Sequence, residues 1–219
     1  MSNRYARILA AGGAAVLMAA LGVPAALAAA AVKNWTVQPG GAIQAQAISG
    51  RPTHFTFTDT TTGTATPCVS STASGTLRSG SDLSGADAGS LSAVSLGRCV
   101  GPLGGPIFIP KAGGLPWHVN LSSYNAAKGV VWGTVSHIRI TMSSAQGCGM
   151  AIDGTSVGSL GRVTFRYADS TGRLTVLTTF GDLHFYDVSD GCLGLFHDGD
   201  PATLSATYTV SPKQAITSP

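Results

Sequence analysis

Between Gly129 and Val188 the apolar residues fall on alternate positions. Trp132, Ile138, Ile140 and Met142 share one parity, and Val163, Phe165 and Tyr167 share theirs. Successive side chains leave a β-strand on opposite sides, so a period of two marks a strand with one buried face. Between Tyr167 and Leu174 lies Ala-Asp-Ser-Thr-Gly-Arg, which is turn chemistry. The stretch therefore predicts a long strand followed by a hairpin. Pairing Phe165 with Leu174 and Val163 with Val176 sets apolar opposite apolar. That register places Arg166 opposite Arg173, with Arg162 further along the same face.

The residues available for helix are few. The chain holds no glutamate; all ten acidic residues are aspartate, against 29 glycines. Glutamate favours helices, whereas Asp, Gly, Ser and Thr favour turns and strands. Strand-like runs recur at Trp35–Ile48 (a pair broken at Pro39-Gly40-Gly41), His54–Thr58, Thr64–Thr72, Leu91–Leu96, Leu115–Tyr124, Leu183–Val188 and Thr203–Val210. Gly75–Gly89 reads as an exposed connection. Gly101–Gly114 carries Pro102, Pro106 and Pro110, and so reads as an edge strand or a covering loop. Ten or more strands with short turns predict an all-β, single-domain antiparallel β-sandwich or barrel.

The N-terminus has the form of an export signal. Arg4 and Arg7 precede an apolar run from Ile8 to about Leu27, and Ala26-Leu-Ala28 offers a small-x-small cleavage pattern, with Ala28-Ala-Ala30 as its rival. The expected organisation is a signal over 1–28 (cleavage near 28–31), a β-domain over 29–211 and a loose tail over 212–219. The expected location is secreted, either extracellular or associated with the cell envelope. About 190 residues then remain, enough for one domain with its own core. Removing Arg4 and Arg7 leaves eleven basic residues against ten acidic ones. A net charge of +1 gives no support to nucleic-acid binding driven by bulk charge.

Cys68, Cys99, Cys148 and Cys192 are an even set in an exported chain, which predicts two disulfides. Neighbours along a meander lie close in space, which favours Cys68 with Cys99 and Cys148 with Cys192. Zinc is disfavoured by the absence of C-x2-C and C-x2-H spacings, and no cofactor is expected.

The run Pro67-Cys68-Val-Ser-Ser-Thr-Ala-Ser-Gly-Thr-Leu resembles a set of secreted β-rich proteins of actinobacteria. Gly114-Leu-Pro-Trp117, Cys192-Leu-Gly-Leu and Tyr208-Thr-Val-Ser-Pro share the likeness. It carries no assigned activity, and it implies export and the β class only.

Several groups of residues could carry chemistry. Gly154-Thr-Ser156-Val-Gly158 matches the G-x-S-x-G elbow of serine hydrolases, which requires a strand before the serine and a helix after it. Here an alternating, strand-like run follows. Asp182, His184, Asp187, Asp190, His197, Asp198 and Asp200 crowd the C-terminal third, where turn capping and calcium ligation compete as explanations. Trp35, Trp117 and Trp132 would suit a sugar-stacking platform if they shared a face. Arg162, Arg166 and Arg173 would suit an anion, since guanidinium groups pair with phosphate and carboxylate. The expected function is a secreted, non-enzymatic β-domain that binds or coats envelope or extracellular material, anionic wall polymer or lipid among it. A secreted hydrolase using Ser156 or the Asp–His cluster is the alternative. An oligomeric or pore-forming β-protein is the third.

Overall fold

The computed structural model describes residues 34–48, 55–102, 105–177 and 181–219. The export signal expected over 1–28 lies outside them. The described residues belong to one compact unit. It contains seventeen strands: β1 (Trp35–Gln38), β2 (Gly41–Ala47), β3 (Phe55–Asp59), β4 (Ala65–Cys68), β5 (Ser71–Leu77), β6 (Gly80–Leu83), β7 (Gly89–Leu96), β8 (Cys99–Val100), β9 (Ile107–Gly113), β10 (Trp117–Asn125), β11 (Val130–Ser144), β12 (Gly149–Asp153), β13 (Gly161–Ala168), β14 (Arg173–Leu177), β15 (Leu183–Tyr186), β16 (Pro201–Ser211) and β17 (Ala215–Thr217). A 3-10 turn is formed at Asp190–Cys192. No helix among the described residues is long and apolar enough to cross a membrane.

The all-β, antiparallel expectation is met, and the choice between sandwich and barrel falls to the barrel. Following the pairings gives two closed rings of eight strands. One runs β10-β7-β5-β2-β16-β14-β13-β11 and returns to β10. The other runs β9-β8-β4-β3-β16-β15-β12-β11 and returns to β9. Both rings share β11 and β16. Residues Val130–Ser136 of β11 pair in the first ring, and Arg139–Ser144 pair in the second. Likewise β16 gives Ala206–Ser211 to the first ring and Pro201–Ala206 to the second. The other positions around the barrel are broken at a waist, where β2 gives way to β3, β5 to β4, β7 to β8, β10 to β9, β13 to β12 and β14 to β15.

A separate sheet, β17-β1-β6, covers the far end of the first ring. This corrects three sequence readings. The tail expected to be loose forms β17, and it buries Gln214 and Ile216. The exposed connection over Gly75–Gly89 contains β6, which pairs with β1. The strands β1 and β2 do not pair with each other, because β1 belongs to the cover and β2 to the ring. A fourth correction concerns β9. Its Pro110 sits opposite Met142 in a strand with partners on both sides, β8 and β11, so it is not an edge.

Both predicted disulfides are formed, Cys68–Cys99 and Cys148–Cys192. They staple the second ring. Cys68 and Cys99 face each other across β4 and β8, and Cys192 anchors the β15–β16 connection to the β11–β12 turn. The interior of this ring is filled with aromatic side chains. Phe196 packs against Phe185 and Phe108 with ring centroids 5.0 and 6.1 Å apart. Each fully buried side chain of that size contributes about 1.5–3 kcal/mol. The first ring is filled differently.

Candidate functional site

The first ring encloses a cavity of about 100 Å³. Its wall is apolar on every side: Ile43 and Ala45 from β2, Ala73 and Leu77 from β5, Leu91, Val94 and Leu96 from β7, Trp117 from β10, Phe165 from β13 and Val210 from β16. An eight-stranded barrel is just wide enough to be filled by side chains or to hold one small ligand. This one is unevenly filled. The Phe165 ring folds over the neighbouring strand at Gly133, where a Cβ would sit 2.5 Å from it, and so lies along the wall. On the opposite wall Ala45 and Ala73 face each other across β2 and β5 and fill little. Ala45, Leu91, Val94 and Leu96 point inward yet are only partly buried, as walls of an unfilled space would be.

The polar groups at the cavity are already satisfied by the protein. The buried Tyr208 hydroxyl lies 2.8 Å from the Ser71 hydroxyl. Burial pushes its pKa up to about 12, with the Ser71 hydrogen bond pulling the other way. Tyr167 donates to the Gln214 carbonyl at 3.0 Å and accepts from the Gln214 N–H at 2.8 Å. The Gln214 side chain accepts from Gly40 N–H and donates to Pro212 O, which locks the cover over the cavity. The wall is thinnest at one joint: β10 pairs with β7 only through Trp117, His118 and Val119, and Ser92–Leu96 continue with β5 alone.

At the covered end, Asp169 lies in an open cleft with Gln38, Ser79, Lys213 and Gln214. Burial pushes its carboxyl up to about 6, and the Ile216 N–H offsets part of that. A folded-state value above the unfolded one, about 3.9, means that the neutral form stabilises the fold. That contribution is complete below about pH 4 and is lost as pH rises through about 6. Asp169→Asn is therefore expected to flatten the dependence of melting temperature on pH between about 4 and 7. It should also raise stability at pH 7 by about 1 kcal/mol, a figure reduced for solvent screening of a partly exposed group. Thermal melts of both proteins across that range check it.

The arginine face is not assembled as expected. The observed register pairs Phe165 with Val176 and Tyr167 with Leu174, which sets Arg166 opposite Thr175 and Arg173 opposite Ala168. Arg166 and Arg173 become diagonal neighbours on the outer face. Arg162 is committed to Asp182, 3.1 Å from its carboxylate, and its own N–H is bonded to the same side chain. The cause is the turn. Gly172 takes φ +67°, and both Thr171 N–H and Gly172 N–H bond to Ala168 O, closing a four-residue loop after Ala168. Both registers keep apolar opposite apolar, so the turn decides between them.

Ser156 sits in the exposed turn between β12 and β13, with a strand on each side and no helix after it. Ser159 Oγ binds Ser156 N–H and Ser156 O, and His184 Nδ1 faces the Gly154 and Asp182 carbonyls. Among the described residues no hydrogen bond joins the Ser156 hydroxyl to a histidine, and the nucleophile-elbow geometry is not formed. The C-terminal aspartates are engaged in turns. Asp198 accepts from Val188 N–H, and His197 Nδ1 lies 3.1 Å from the Asp200 carboxylate. Burial raises the pKa of Asp200, but hydrogen bonds with Thr61 and His197 help outweigh it and hold the group below the usual carboxylate range.

The three tryptophans share no face. Trp35 is buried in β1 of the cover, Trp117 lines the cavity, and Trp132 lies on the outside with 37% of its surface exposed. Trp132 was expected on the core side with Ile138 and Ile140. A bulge at His137 intervenes: Ser136 pairs with Arg162 and Ile138 with Gly161, leaving His137 as an extra residue. The bulge reverses the parity, so Trp132 points out and Ile138 points in.

The cavity was not legible in the sequence, because its walls come from all eight strands of the first ring, whose register no local pattern fixes. The signal that bears on it is the small inward pair Ala45 and Ala73, which acquires meaning only once β2 and β5 are known to be neighbours. Comparison of the chain with protein-family models, curated proteins and solved structures returns no match.

Proposed function

We propose that this chain is an exported, non-enzymatic binding domain whose first ring carries a small apolar molecule, or the apolar tail of a larger one, outside the cell. The observation that carries this is the cavity of about 100 Å³ with an almost entirely apolar wall, its few polar groups bonded within the protein. An apolar cavity stays dry, and a dry space of this order accepts an arene or a short alkyl chain. Since Tyr167, Tyr208 and Gln214 spend their hydrogen bonds within the protein, the ligand needs no polar group at the buried end. The parted β7–β10 joint is the entrance this reading uses. The even, paired cysteines and the leader-like N-terminus support export. Anionic envelope material, expected from the arginine face, keeps only Arg166 and Arg173 as its geometric basis and is secondary to the cavity.

Titration with toluene, hexane and decanoate tests the proposal. Trp117 lines the cavity, so its fluorescence should change on binding, and the melting temperature should rise with ligand concentration by mass action. Ala73→Leu fills the space and should weaken binding at least tenfold while leaving the fold intact. Ala45→Val should weaken it less. Failure of all three ligands to shift the wild-type melting temperature, or equal binding by Ala73→Leu, overturns the reading.

A further inference from the structure

Away from the cavity, the outer face of the first ring presents Trp132, with 37% of its surface exposed. In a regular β11 it would keep parity with Ile138 and point inward. The extra residue at His137, with φ +66°, sends it out. Bulges commonly re-aim a side chain in this way. The register then sets its neighbours. Trp132 lies opposite Ser123 of β10 on one side and Arg166 of β13 on the other. The same row continues through Thr175 of β14 to Thr207 of β16. The adjoining residues along these strands, Val131, Phe165, Val176 and Ala206, are buried, so alternation places the row outside.

Side chains directly opposite each other across a ladder have Cβ atoms about 5 Å apart, so Arg166 rises from the sheet beside the Trp132 indole. Arg173 is the diagonal neighbour of Arg166, about 7–8 Å away at its base. Arg162, the third arginine of this face, is neutralised by Asp182. Among the described residues neither Arg166 nor Arg173 makes an ion pair. Their register partners bring no acid: Arg166 lies between Trp132 and Thr175, and Arg173 between Ala168 and Thr209. Two neighbouring cations without a counter-charge repel each other, and an anion set against both relieves the repulsion. An exposed aromatic face, hydroxyl groups and unneutralised positive charge thus meet within the span of one or two sugar rings.

We propose that this face binds an anionic saccharide through Trp132, Arg166 and Arg173. One pyranose unit lays its C–H face on the indole, and the carboxylate or phosphate it carries pairs with Arg166. Arg173 takes the charge of the next unit. Thr175 and Thr207 offer hydroxyls to the sugar oxygens along the same row. The guanidinium fork matches either anion through paired hydrogen bonds. The row favours a sugar over an acyl chain, because its hydroxyls suit a hydroxylated ring and give a lipid tail no apolar surface to cover. The platform is independent of the apolar cavity, which lies on the other face of the same strands.

The test is calorimetric titration of the tag-free full chain, at low salt, with trigalacturonate and with a phosphorylated maltotriose. The wild type should bind at least one of them, and the tighter of the two tells carboxylate from phosphate. Trp132→Ala and Arg166→Gln should each weaken that binding at least tenfold. Arg173→Gln should weaken the trisaccharide several-fold and leave the monosaccharide unchanged, since a single unit does not reach it. The methyl ester of trigalacturonate keeps the rings and loses the charge, and should bind at least tenfold more weakly than the acid. Ala73→Leu, which fills the cavity, should leave saccharide binding unchanged, so this site and the cavity fail or hold separately. Undiminished binding by Trp132→Ala would reduce the face to bulk charge and overturn the proposal. So would equal binding of the ester and the acid, or no binding of either trisaccharide by the wild type. The substituted side chains lie on the surface, and thermal melts of each variant separate a lost site from a lost fold.

Discussion

Replacing Cys68 and Cys99 together by serine is expected to cost about 5 kcal/mol of stability, and more than the same change at Cys148 and Cys192. Chain entropy alone predicts the opposite order. The loops closed are 31 and 44 residues long, which correspond to about 3.7 and 4.0 kcal/mol. The position in the ring reverses the order. Strand β8 is two residues long, and Cys68 opposite Cys99 is the whole of its pairing with β4. Losing that bond releases the unfolded chain and also opens the second ring at its weakest joint. The Cys148–Cys192 bond ties a connection to a turn, and the strands on either side, β12 and β15, keep three register pairs without it. Whole domains are stable by only about 5–15 kcal/mol, so either change should be plain in a urea titration. A larger midpoint loss for the Cys148/Cys192 variant would show that loop length alone governs these staples.

The second large effect is expected at the waist. Asp153 is fully buried at the end of β12, and Arg139 lies 3.1 Å from its Oδ1 at an angle that makes an ion contact rather than a hydrogen bond. Asp153 Oδ2 accepts from Gly158 N–H at 2.7 Å, which holds the Gly154–Leu160 turn. Removing one partner of a buried pair leaves the other charge uncompensated, at a typical cost of about 3–5 kcal/mol. Since the Arg139 side chain is 37% exposed, water relieves part of this, and Arg139→Ala is expected to cost about 2–3 kcal/mol. Combining Arg139→Met with Asp153→Asn removes both charges and keeps the volume and the Gly158 hydrogen bond. It should recover more than half of the loss. Denaturant melts of the two variants and the wild type decide the matter. A double variant as unstable as Arg139→Ala would place the cost in packing rather than charge.

Strand identity was legible wherever alternation ran unbroken. Val163, Phe165 and Tyr167 are buried in β13 as their spacing predicts, and both cysteine pairs follow from order along the meander. What failed was set by single residues that local patterns do not weigh. The extra residue at His137 reversed the face of Trp132. The left-handed Gly172 shifted the β13–β14 register by two and separated the arginines. The segment from Ala215 to Thr217 is too short to show a period, and it becomes a strand because β1 lies beside it and Gln214 locks it down. The candidate sites were harder still. Cavity walls are contacts between strands distant in sequence, and their residues look ordinary one at a time.

The two strands that cross the waist, β11 and β16, have a consequence for cooperativity. Each is hydrogen-bonded on both sides in both rings, so neither ring can open at these positions without exposing the edges of the other. A shift of β11 by one step would turn Val131 and Val135 out of the first ring and Ile140 and Met142 out of the second in a single event. The broken positions have no such coupling, and a local opening at β8 or β15 can heal without disturbing the first ring. The barrel thus has two spines that melt only with the whole and six seams that can breathe alone. Two of those seams, where β7 gives way to β8 and β10 to β9, flank the short β7–β10 joint beside the cavity.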